Sequence, residues 1–544
     1  MNTRQLQTDK NQKLYHALLG ILLVCALAMM MLLSYWACKY SYYGAVDGRT
    51  RGVLVGDKTW AHIAVFFAAS LCTMGIDKVL MKKDKSQQEK ICLCTLIVTS
   101  VIAFILGVFY VCKNPYYPVG DQINTTAFAA YCRDGNFSML SIGGYVGMYQ
   151  QQKGLAILYE ILFTLFGDFN YRPAKILHVV WWILTILAGY GFLKLNTDRP
   201  VFRILYCVMM LGCFPLLFYL PYIYGDVLSI SFGIILFYGV AAYEHSGQKR
   251  YIALASFAAG LAVLARKNTW IVLVAVAVYV LLVSLRKKKV RYLMAGTAIL
   301  LTAALSVKAV DVIYEVRSGY PSGVGIPSIL WVAMGLQETE GRAGVYNRYQ
   351  QATFTDYDCQ QELAAQQGKE YIRERLEEFS QDPGMAFNFF KNKVEGQWIE
   401  PMYAALESTE SFEEGAELSP VLESLYYGEL GRTIWKLTNY YQSILYLAGL
   451  MALVMLGILW WKKKEVPISL WLPWIAVFGG FLFSILWEAK SRYVFPYCVF
   501  MILYAPEGLY QTGLLLCKLP KLRKFKKSGH TQDKGEEASL RETA

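Results

Sequence analysis

Apolar runs long enough to cross a hydrocarbon core recur from Leu14 to Leu515, broken by short polar turns and by one long hydrophilic stretch. A span needs about 20 mostly apolar residues. Hydropathy places helices near 14–36, 59–80, 91–112, 173–194, 201–221, 226–243, 250–265, 268–286, 290–310, 439–461, 467–487 and 492–515. The pattern predicts an all-α polytopic membrane protein of about 12 transmembrane helices with a mainly helical soluble domain between the ninth and tenth. No small-residue cleavage site follows the first run, so Leu18 to Trp36 reads as a retained helix. Gly154 to Phe166 offers only about 13 residues and reads as an interfacial or re-entrant helix.

Composition agrees with lipid as a solvent: 55% of residues are apolar and 17% charged. The net charge of +12 raises the possibility of nucleic acid, and its distribution argues against it. Between Asp311 and Thr438 there are 10 basic and 21 acidic residues, which leaves 43 and 20 elsewhere. The positive excess therefore belongs to short loops and tails, where the positive-inside rule puts it. With Gly154 to Phe166 left uncounted, both termini, the cluster Lys82, Lys83 and Lys85, the cluster Arg286 to Lys289 with Arg291, Lys462 to Lys464, and the tail Lys518, Lys521, Arg523, Lys524, Lys526 and Lys527 all fall in the cytoplasm. The expected organisation is a tail and two helices over 1–90, a membrane module over 91–310 with an outer loop at 113–171, an extracytoplasmic domain over 311–438, membrane helices over 439–515 and a basic tail over 516–544.

On that topology every chemically suggestive residue lands on the outer face. Asp121, in Asn-Pro-Tyr-Tyr-Pro-Val-Gly-Asp-Gln just past a span, could serve as a general base or be a solvated loop acid. Asp226 closes Tyr-Ile-Tyr-Gly-Asp at the mouth of a helical hairpin, where it could be an N-cap. Arg266 and Lys267 run against the positive-inside bias and suit a phosphate, or snorkel to headgroups. Glu488, Lys490 and Arg492 crowd one short turn, where Glu488 could orient Arg492 toward a phosphoryl oxygen or simply pair with it.

The acidic domain shows an apolar stretch at 321–336, too short to span and suited to the outer leaflet, and an exposed helix from Glu362 to Phe379 ended by Asp-Pro-Gly. Trp398, Pro401 and Tyr403 could present an aromatic surface for sugar rings or pack a core. Cys132 and Cys359 share the outer side and could pair; the histidines have no metal-ligand spacing.

Taken in order, these features resemble the membrane glycosyltransferases of the GT-C fold, in particular the bacterial branch related to protein O-mannosyltransferases and lipid A aminoarabinose transferases. Asp121 resembles the family's first-loop acid, Asp226 the acid opening a later helix, Gly260 to Lys267 the small-residue run ending in a cation, and Glu488, Arg492 and Tyr493 the glutamate and Arg-Tyr before the last helix. Trp331 to Gly335 with Tyr346-Asn347 is similar to the outer-domain entrance of Gram-positive members. Two features depart from the pattern: Asp121 is followed by Gln122 where many members carry a second acid, and two extra spans precede the module.

The resemblance implies an inverting transfer of a sugar from a polyprenyl-phosphate donor to an extracytoplasmic glycan, lipid or protein at the bacterial plasma membrane. It makes Asp121 and Asp226 catalytic, Arg266, Lys267 and Arg492 phosphate-binding, and Glu488 and Tyr493 orienting. No cofactor is certain and a divalent metal is possible. A transporter or flippase of lipid-linked sugars, and a ligase using polyprenyl pyrophosphate, are the alternative functions.

Overall fold

The computed structural model describes residues 3–43, 53–464 and 466–518, which leaves most of the expected basic tail outside the described residues. Among the described residues the chain is a helical bundle with two short antiparallel strand pairs, Tyr40–Tyr43 with Val53–Gly56 and Glu338–Thr339 with Arg342–Ala343. Among the described residues, nine helices are long and apolar enough to cross a membrane. Asp226–Ser246 is the central one, with 83% of its apolar window buried, whereas Lys85–Lys113 has 22% buried and lies at the periphery.

The three other expected spans differ in shape from a simple crossing helix. The region near 201–221 is Pro200–Gly212 followed by Phe214–Phe218, broken at Cys213, because Pro215 cannot donate into the preceding turn. Lys249–Ala265 stops at Arg266, whose backbone is extended (φ −150°, ψ 126°). Ser491–Met501 carries Pro496 and is separated by a turn from a second helix at 505–518. Hydropathy counts apolar residues and is blind to such breaks.

Contacts between distant segments define the two ends of the bundle. At one end Arg203 pairs with Glu89, Arg199 with Asp77, and Lys287 with Glu244, which also accepts from the Ser469 backbone. The basic turns therefore share this end. The opposite end carries residues 319–428, and is bound to the bundle by Tyr42 N donating to Ile399 O at 3.0 Å and Tyr117 N donating to Ser411 O at 2.8 Å.

Helix ends and packing differ in several places from the hydropathy reading. The helix Val290–Ser318 runs past 311, and Glu429–Trp461 begins ten residues before 439. The expected loop 113–171 contains a helix, Asp121–Arg133, as well as Lys153–Phe166. Lys153–Phe166 is fastened to Val290–Ser318 by Lys153 to Asp311 at 2.5 Å and Glu160 to Arg317 at 2.6 Å. The apolar stretch near 321–336 forms Ile329–Gly335, and its Leu330, Ala333 and Met334 are buried within the domain, where Leu330 meets Gly368 of Gln361–Gln381. That face is thus spent on protein.

Trp398, Pro401 and Tyr403 are buried as well, so they form core and offer no sugar platform. Cys132 and Cys359 are both free thiols, Cys132 fully buried. The expected exposed helix does form as Gln361–Gln381, and Asp382 caps the next helix, Pro383–Trp398, by accepting from Met385 N at 2.9 Å. The N-terminal helix is integral to the bundle: it packs on Glu429–Trp461, with Gly20 under the Trp460 ring and His16 O accepting from Trp460 Nε1 at 3.2 Å.

Candidate functional site

Four helix ends and one inserted turn converge at the domain-bearing end. The chain leaves Lys85–Lys113, is stitched to the domain at Tyr117, and turns at Gly120, whose φ of 57° favours glycine. Asp121 follows as the first residue of its helix and is exposed. The Tyr145 hydroxyl donates to Asp121 Oδ1 at 2.8 Å. Gln122 points elsewhere, its amide oxygen accepting from the buried Tyr116 hydroxyl.

Asp226 opens the central helix and is 2% exposed. Its Oδ1 pairs with Arg266 Nη1 and lies 3.9 Å from Arg492 Nε. The pairing depends on close backbone approach: a Cβ on Gly225 would stand 2.0 Å from Ala265 O and 2.8 Å from Arg266 Cγ. Gly225→Ala is therefore expected to lower the melting temperature and to loosen the Arg266 ion pair; a variant as stable and as active as the parent contradicts this packing.

Tyrosines hold the two guanidinium groups. Arg266 lies over the rings of Tyr224 at 5.3 Å and Tyr493 at 5.4 Å, and Arg492 over Tyr222 at 5.2 Å, Tyr224 at 5.4 Å and Tyr493 at 5.4 Å. Such stacking keeps a cation flat and desolvated. Two polar atoms in this group have no hydrogen-bond partner among the described residues, Asp226 Oδ2 and Arg492 Nε. Buried polar atoms are normally satisfied, so these two are the atoms of the cluster with bonding capacity to spare.

Glu488 completes the cluster. It is 7% exposed and accepts from the Tyr493 hydroxyl at 3.3 Å. Burial, reinforced by the negative charge of Asp121 and opposed by Lys490, Tyr493 and Arg266, pushes its carboxyl up to about 7. Asp121, Arg266, Arg492 and Glu488 all lie within electrostatic reach of Tyr493. The turn bearing Glu488 is clamped by the domain: Ala489 N donates to Gly344 O at 2.7 Å, and the Trp487 ring stacks on Trp331 at 5.9 Å.

Of the expected site residues, Asp121, Asp226, Arg266, Glu488, Arg492 and Tyr493 come together. Lys267 does not: it begins a short 3₁₀ turn, is exposed, and forms no ion pair among the described residues. Sequence reasoning overlooked Tyr145 and Gln152, whose amide donates to the Tyr224 hydroxyl at 2.6 Å. The run Gly-Gly-Tyr-Val-Gly-Met-Tyr at 143–149 was the available signal.

The donor set does not suit a divalent ion. Asp226 Oδ1 is spent on Arg266, Gln122 on Tyr116, and the described residues contain no group of three or more metal-binding side chains. The arrangement gathers an exposed carboxylate and two arginines around Tyr493, which suits a hydroxyl losing its proton near a phosphate. Neither a protein-family model nor a curated protein matches the chain, so its chemistry is read from these residues.

Proposed function

We propose that the protein is a membrane glycosyltransferase that moves a sugar from a polyprenyl-phosphate donor to an extracytoplasmic acceptor with inversion. The observation that supports this reading is buried Arg492, whose Nε has no hydrogen-bond partner among the described residues, gathered with Arg266 and exposed Asp121 around Tyr493. Twelve crossings, with the three broken or short helices included, fit the positive-inside rule when the basic turns are cytoplasmic and the domain faces out. The donor's lipid tail then lies in the bilayer and its phosphate at the level of the helix ends.

Asp121 takes the proton of the acceptor hydroxyl as that oxygen attacks the anomeric carbon. The bond from that carbon to the phosphate oxygen breaks, and its electron pair leaves on the phosphate, which gains a negative charge. Arg266 and Arg492 stabilise that growing charge in a site with little water. Asp226 acts as a positioning residue that fixes both arginines, and Glu488 with Tyr493 orients the cluster. Lys267 contributes at most a long-range charge.

The test uses the full chain in liposomes supplied with polyprenyl-phosphate glucose or mannose and host envelope extract. Transfer from the monophosphate donor with inverted anomeric configuration is expected. Movement of labelled donor across the bilayer without transfer, or use of a pyrophosphate donor alone, sinks the reading.

A further inference from the structure

Beside the cluster lies a cavity of about 730 Å³, within the size range of small-molecule sites. The strand pair contributes Tyr42 and Leu54, the turn near Arg342 closes one side, and Pro383–Trp398 supplies Lys393, Glu395 and Gly396. Glu488 and Lys490 also line it, so it opens onto the residues assigned above to the reaction.

The walls are rich in acid. Glu340, Glu395, Glu400, Glu407 and Glu488 face it, against Arg342, Lys393 and Lys490. Several of these groups are already engaged. Lys393 donates to Gly335 O, and burial pushes its ammonium down to about 7. Glu400 accepts from Met402 N at 2.8 Å and Ala404 N at 2.5 Å, and burial raises its carboxyl to about 7.

Glu395 is different. It is 3% exposed, and its Oε1 has no hydrogen-bond partner among the described residues. The nearest described cation, Lys391, stands at 3.8 Å, beyond hydrogen-bond distance. A buried carboxylate oxygen left without a donor is costly, and Glu395 is one of the residues that line the cavity, from which a donor can come. The three cations are outnumbered by acids, so the cavity has no positive surplus to hold an anionic ligand. Carboxyl groups that hold their protons near neutral pH can both give and accept hydrogen bonds, which suits hydroxyl groups, and Tyr42 and Tyr346 provide ring faces for sugar C–H groups.

We propose that this cavity is the acceptor subsite and binds a hydroxyl-rich, non-anionic saccharide, one of whose hydroxyl groups donates to Glu395. The word acceptor rests on the transferase reading; the saccharide site itself does not. The site also gives the N-terminal helix and its strand pair a part in substrate recognition.

The test is saturation-transfer NMR on the full chain in lipid nanodiscs, with methyl β-glucoside, methyl α-mannoside and methyl N-acetyl-β-glucosaminide as probes and glucose 6-phosphate as the anionic comparator. Gly396→Phe fills the cavity, since a Cβ there meets only the Tyr42 ring, at 4.0 Å. Glu395→Gln is nearly isosteric and replaces one acceptor oxygen by an amide donor while removing the charge, so it carries the test if the larger variant fails to fold. At least one neutral glycoside is expected to saturate on the parent protein, to lose its signal with Gly396→Phe, and to bind about tenfold more weakly with Glu395→Gln. No signal from any glycoside, a signal that survives Gly396→Phe, or equal binding of glucose 6-phosphate overturns the proposal. Glycoside binding lost on filling the cavity, in a protein that transfers nothing, keeps the site and sinks the transferase reading. Transfer that proceeds undiminished with the cavity filled does the reverse.

Discussion

Asp121→Asn is expected to abolish the proposed sugar transfer while leaving the protein inserted and folded. Removing a general base typically costs about 10²–10⁴-fold in rate, and the substitution keeps size and shape while giving up the proton acceptor. Asp121 is exposed, and an asparagine carbonyl can still accept from Tyr145, so little stability is at stake. Mass spectrometry of lipid and glycan extracts from the host should show one glycan missing at normal protein abundance. An unchanged glycome with normal abundance removes Asp121 from the role of base. Tyr145→Phe should lower the rate far less, because it only releases the carboxylate from one orienting bond.

The largest effect on stability is expected from Arg266→Ala. Its partner Asp226 is 2% exposed, and without Arg266 the nearest cation is Arg492, 3.9 Å away and not hydrogen-bonded to it. Breaking one side of a buried ion pair costs about 3–5 kcal/mol, because the other charge stays buried. Arg266 also fills the space between the Tyr224 and Tyr493 rings, so packing is lost with the charge. Replacing Asp226 by Asn in the same chain should recover part of that loss, since no uncompensated carboxylate remains. Melting curves of the single and double variants in detergent decide it: a double variant less stable than Arg266→Ala alone would falsify the pairing as the source of stability.

These two substitutions separate the roles of two acids that look alike in the sequence. Asp121 and Asp226 each stand just after a glycine in a tyrosine-rich stretch, and each opens a helix. One is exposed and accepts from a tyrosine hydroxyl, and the other is buried and committed to an arginine. Their neighbours across the fold make the difference. Lys267 shows the same dependence from the other side: it adjoins Arg266 in sequence, yet the extended backbone at Arg266 turns only that residue onto the cluster.

Amphipathic surfaces were legible where a short-range pattern sufficed. The helix ended at Asp382-Pro-Gly was readable because capping and proline chemistry act within a few residues. The fates of Trp398 and Tyr403 were not, because an aromatic side chain has the same composition in a core as on a sugar-binding surface, and only the surrounding helices bury it. The strand pair near the N-terminus and the orphaned oxygen of Glu395 gave no signal of their own in hydropathy.

The sequence by itself determined that this is a multi-helix membrane protein, that its basic turns gather away from an acidic domain, and which charged residues break the apolar pattern. Those are properties of local composition and period, which solvent transfer reads directly. The tertiary structure alone decided that Asp226, Arg266 and Arg492 meet, that exposed Asp121 accepts from Tyr145, and that a cavity opens next to Glu488. Such facts depend on helix ends far apart in the chain packing to within a few ångströms, a property carried by breaks, close glycine approaches and stacked tyrosines that no single window of sequence contains.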